Sequence, residues 1–161
     1  MTEGLHSMAR LQRSHARTLA AAERLVADGK TAKACARLRK AVAAEDASPA
    51  FLRAACRFLD DHGDGAGAWH TIETCLRKLP FDPEALRLRC LLAILHRQDA
   101  VAAERDLAAL QALRAAPEPF RTIAAAGLLG LRGRAAAARA DLAPLLARDP
   151  RNADALRAAN R

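Results

Sequence analysis

"LGLRGRAAAARADLAPLLARDP", residues 129–150, holds seven alanines, two glycines and two prolines, with no aromatic ring, no serine–histidine pair and no metal-ligand cluster. Alanine is the strongest helix former, and its methyl group lets two helix backbones come close together. The glycine at 133 marks a turn ahead of the alanine run. Asp149-Pro150 marks its end, because the residue before proline is pushed out of the helical region. The stretch therefore reads as the end of one helix, a turn and a second helix seamed by methyl groups. Pro144 falls inside that second helix and is expected to kink it near Ala140.

The remaining sequence repeats this plan. Prolines fall at 49, 83, 117 and 150, a period of 33 to 34 residues. Between them, polar or glycine-containing turns occur at "DGK" (28–30), "HGDGAG" (62–67), "HRQD" (96–99) and "RGR" (132–134). After each turn an alanine precedes a large aliphatic residue by four: Ala34–Leu38, Ala68–Ile72, Ala103–Leu107 and Ala138–Leu142. That spacing keeps both residues on one helical stripe. No run shows the alternation of a half-buried strand. A fixed period of this length is the mark of a solenoid rather than of an ordinary bundle.

Composition agrees. Apolar residues make up 52% of the 161, yet only 3% are aromatic, so the core must be built from Ala and Leu. The formal charge of +8 is uneven: +6 over residues 1–40, −2 over 41–131 and +4 over 132–161. The longest strongly apolar run, Cys90 to Leu95, is far too short to span a bilayer, and the first 25 residues lack the core of a signal peptide. Four cysteines (Cys35, Cys56, Cys75, Cys90) form no CxxC pair and read as small core residues of a cytoplasmic protein.

The pattern resembles the tetratricopeptide repeat family. The fourth repeat matches through Ala126, Leu129, Gly133, Ala138, Leu142 and Pro150. The second matches through Cys56, Leu59, Gly63, Ala68, Ile72 and Pro80, and the first through Ala22, Leu25, Ala34, Leu38 and Ala41. The third keeps Leu91, Ile94, Ala103 and Leu107 but has no glycine at its turn. The resemblance covers residues 15 to 150. It implies an all-α, right-handed solenoid of four antiparallel helix pairs (15–48, 49–82, 83–116, 117–150), capped by a short helix over 151–161, the whole forming one domain. It also implies a peptide-binding groove along the first helix of each pair, carried over to Leu19, Glu23, Arg53, Arg57, Leu88, Leu92, Phe120, Ile123 and Gly127. In that reading Phe120 and Ile123 form an apolar pocket, and Gly127 leaves room for a bulky anchor. The Lys/Asn clamp that some relatives use for a chain-terminal carboxylate is absent, since the only asparagines are Asn152 and Asn160.

Enzymatic chemistry has little to stand on. Gly63-Gly65-Gly67 and Gly127-Gly130-Gly133 follow no strand and lack the Lys-Ser/Thr of a phosphate loop. His6, His15, His62, His70 and His96 show no ligand spacing, and Asp60, Asp61 and Asp64 lack the terminal Glu of a calcium loop. No enzyme, metal or cofactor is expected. Arg53 and Arg57, at i and i+4, present two guanidinium groups from one face and suit a carboxylate. The expected function is an adaptor that binds a peptide or helix of an acidic partner protein. The alternatives are a chaperone of secreted substrates and a docking subunit of an enzyme complex, with homodimerisation through exposed end repeats. Arg10, Arg13 and Arg17 form a basic stripe, but so few aromatic rings give nucleic acid no stacking platform.

Overall fold

Ser48, Asp82 and Asn152 start three helices in the same way. Each side-chain oxygen accepts the backbone N–H three residues on, from Phe51 (3.3 Å), Ala85 (2.9 Å) and Ala155 (3.0 Å). Such caps satisfy an otherwise orphaned donor and contribute about 1 kcal/mol each. Pro49 and Pro83 follow as the first helical residue, where a missing N–H costs nothing. Asp82-Pro83 thus opens a helix.

The computed structural model describes residues 2–160, with side chains from residue 8 onward. Met1 and Arg161, the outer ends of the expected domain and cap, and the His6 side chain lie outside the described residues. The helices are α1 (Thr2–Ala27), α2 (Thr31–Val42), α3 (Pro49–Asp61), α4 (Gly65–Lys78), α5 (Pro83–Leu92), α6 (Ala100–Ala112), α7 (Phe120–Leu131), α8 (Ala135–Arg148) and α9 (Ala153–Ala159), with a π-turn over Ala93–Arg97. No strand occurs among the described residues, and no helix there is long and apolar enough to cross a membrane. The chain divides after Pro80 into two compact units. In the first, α1 packs on α2 and α3 on α4; in the second, α5 packs on α6, and α9 packs on both α7 and α8. Helix α8 is continuous through Pro144.

The methyl seam is present in each pair. Ala34, Ala68, Ala103 and Ala138 of the second helices are at most 2% exposed. On the first helices Ala22, Cys56, Cys90 and Ala126 are fully buried. Cys90 Sγ donates to the Ala103 carbonyl at 3.5 Å, so the third pair crosses at that point. Burial pushes the Cys56 and Cys90 thiols up to about 12.

Three first helices end alike. Gly29, Gly63 and Gly133 adopt φ of +74°, +80° and +74°, the left-handed conformation that glycine enters without a Cβ penalty. The next amide reaches back five residues, from Lys30 to Leu25, Asp64 to Leu59 and Arg134 to Leu129. The third pair differs. Gln98 takes the left-handed position at φ +54°, and the Asp99 amide reaches back six residues to Ala93. One extra residue sits in this helix, and the π-turn absorbs it. Ile94, within that turn, lies over Gly127, where a Cβ would stand 2.6 Å from its Cγ2.

Polar contacts add to the packing. Asp106 on α6, 1% exposed, receives both Nε (2.8 Å) and Nη2 (2.6 Å) of Arg89 on α5. Lys78 donates to the carbonyls of Glu45 (2.7 Å) and Ala47 (2.9 Å), tying the α2–α3 connection to the end of α4.

Asp106→Ala leaves the Arg89 guanidinium without its buried carboxylate and should cost about 3–5 kcal/mol in urea unfolding. Arg89→Met/Asp106→Leu should recover most of that loss. Gly127→Ala, which in an open helix gains about 1 kcal/mol, should instead lose about 1–3 kcal/mol, and less in an Ile94→Ala background. Cys56 and Cys90 should resist iodoacetamide at pH 8 in the native state and react once urea unfolds the chain. Rapid native labelling, read by mass spectrometry, would refute their burial.

Candidate functional site

The repeat register defines which residues occupy equivalent places. Counting back from the carbonyls that accept the turn amide (Leu25, Leu59, Ala93, Leu129) puts Leu19, Arg53, Arg87 and Ile123 in one position. Glu23, Arg57, Leu91 and Gly127 share another. Leu88 and Leu92, expected from the sequence, are each displaced by one residue. The equivalent places are taken by Arg87 and Leu91. Leu92 is buried and Leu88 half-buried. Pro119, not Pro117, stands in the place of Pro49 and Pro83 by the same count.

In the first unit the expected residues share a register. Leu19 and Glu23 lie on α1 and Arg53 and Arg57 on α3, in matching register on two helices that touch. Leu19 and Arg53 are half-buried, while Glu23 and Arg57 are exposed. Beside them, the His15 ring stacks on Phe51 at 4.3 Å and lies 3.4 Å from Ser48 Oγ.

In the second unit the equivalent residues serve the fold. Arg87 donates to the Ala115 carbonyl at 3.1 Å and pairs with Glu84, bracing the α6–α7 connection. Ile123 belongs to a buried cluster with Ala126, Ala138, Leu142, Ala155 and Ala158, on which Leu91 also packs. Phe120 is 8% exposed. Gly127 leaves no room for an anchor, because Ile94 fills that space. The expected apolar pocket at Phe120, Ile123 and Gly127 is therefore interior packing, a second correction.

A cavity of about 550 Å³ opens elsewhere in this unit, lined by Leu95 and His96 from the π-turn and by Arg157 and Asn160 at the end of α9. Leu95 is buried, His96 and Asn160 are exposed, and Arg157 is partly exposed, its Nη2 donating to Asp154 at 2.8 Å. The only signal in the sequence was the missing glycine at the third turn; nothing there brings residue 96 to residue 157. The glycines read as superficially loop-like have other uses. Gly65 begins α4, and Gly67 gives space to the Asp64 carboxylate that caps it at 3.0 Å.

No family model matches this chain, and no curated protein does either. Among solved structures it is similar to the crystal structure of a tetratricopeptide repeat protein from Parabacteroides merdae ATCC 43184, with a TM-score of 0.63 and 20% sequence identity. The match covers 90% of this chain and 56% of the other, so the chain spans a little over half the length of that protein. The seam, the turn register and this likeness agree: the chain has a tetratricopeptide-like, all-helical repeat fold.

Proposed function

We propose that the protein is a non-enzymatic adaptor whose first unit binds an acidic segment of a partner protein across α1 and α3. The supporting observation is the shared register of Leu19 with Arg53 and of Glu23 with Arg57. It sets two guanidinium groups one helical turn apart beside an apolar residue. Arginine forks hold carboxylates in bidentate fashion, and the neighbouring Leu19 gives the segment's backbone an apolar seat. Glu23, on the other helix, disfavours a uniformly acidic ligand and suits one that also carries a basic residue. The four cysteines are free and buried, which suits a reducing cytoplasm.

The test is affinity capture from the native host with wild-type protein and with Arg53→Glu/Arg57→Glu, circular dichroism confirming that both are helical. The charge reversal should reduce capture of the principal partner by at least about tenfold, some 1.4 kcal/mol. Undiminished capture by the folded variant would remove α3 from the binding face.

A further inference from the structure

We infer that the cavity between the π-turn and α9 is a binding site for a phosphate monoester. It lies wholly within the second unit and does not depend on the α1–α3 face. Three kinds of hydrogen-bond donor border it: the His96 imidazole, the Arg157 guanidinium and the Asn160 amide. They come from two separate elements, the π-turn and α9. A phosphate monoester offers three acceptor oxygens spread over a tetrahedron, so it can accept from donors arriving along different directions. A planar carboxylate offers two acceptor oxygens in one plane and meets such a spread of donors less well.

The volume, about 550 Å³, falls within the range of about 300–1,000 Å³ typical of small-ligand pockets and exceeds what the phosphoryl group alone would fill. Leu95 supplies an apolar wall for the organic part of the ester. Asp154 pairs with Arg157 through Nη2 at 2.8 Å. The π-turn is the device that creates the site. It carries one more residue than the other three first helices do, and Leu95 and His96 lie within it. Such turns are rare and recur at functional sites.

The shared chemistry is the phosphoryl group, whether on a small metabolite or on a phosphorylated side chain of a partner. Inorganic phosphate is the first probe, titrated into the isotope-labelled full chain at fixed ionic strength and followed by NMR at the His96 ring, the Arg157 Nε–H and the Asn160 side-chain amide. Saturable shifts with Kd about 1 mM or tighter are expected, together with a response to acetate at least about tenfold weaker. Arg157→Gln should abolish the response. Asn160→Asp, an exposed substitution that places a negative charge at the rim, should weaken it by at least about tenfold without loss of helicity. Glycerol 3-phosphate and a phosphoserine tripeptide then separate the two sources, the tighter ligand naming the class. No saturable shift, an equal response to acetate, or an unchanged response in the folded Asn160→Asp variant would each overturn the assignment.

Discussion

Close approach of two helix backbones at each crossing is the constraint on which the remaining structure hangs. Helices with ordinary side chains at their contact sit about 8–10 Å apart, and the near end of that range requires small residues on both sides. This chain buries alanine or cysteine on both helices of every pair: Ala22 and Ala34, Cys56 and Ala68, Cys90 and Ala103, Ala126 and Ala138. The large aliphatics that fill the flanks, among them Leu38, Ile72 and Leu142, are then fully buried without any aromatic ring having to bridge a gap. The scarcity of aromatic residues is a consequence of this close spacing. Two of the four small residues on the first helices are cysteine. A buried thiol behaves there as a slightly larger alanine whose weak S–H can still find a carbonyl.

The same constraint explains why an inserted residue surfaces where it does. In the third pair Cys90 stays against Ala103, its thiol on that residue's carbonyl. A shift of one residue along α5 would rotate the small side chain about 100° away from the crossing and bring Arg89 or Leu91 into it. The extra residue is therefore expelled from the crossing and absorbed between it and the turn. The helix widens there into a π-turn, and Gln98 takes a backbone conformation that glycine holds in the other three. What looks like a degenerate repeat is the same crossing with a lengthened exit.

Much of this was legible in the residues. The alanine stripe, the turn glycines and the absence of alternation specify paired helices, because each follows from local geometry. The proline period was less informative than it looked. Pro49 and Pro83 share one role as first helical residues, whereas Pro117 and Pro150 are spaced correctly but stand before the helix starts at Phe120 and Ala153. Spacing counts residues, while function follows helical turns, and a single insertion separates the two. Asp106 was invisible for a different reason. In "AERDLAAL" it looks like one more solvated charge, and only the fold brings Arg89, seventeen residues earlier, within reach. Gly127 misled because a missing side chain in a sequence looks like space, and here Ile94 already occupies it.

The same register positions are occupied differently in the two units. Positions equivalent to Arg53 and Arg57 are Arg87 and Leu91 in the third pair, Ile123 and Gly127 in the fourth. Three of those residues pack internally and the other braces a loop carbonyl. A residue that completes the core cannot also meet a ligand, since exposing it would forfeit about 1.5–3 kcal/mol of burial for a large aliphatic side chain. In the second unit these register positions serve packing and loop bracing. Among its accessible polar residues, His96 and Asn160 stand where the repeat departs from its own rule, at the π-turn facing α9. In a fold built from near-identical pairs, new surface chemistry arises most readily at such a departure.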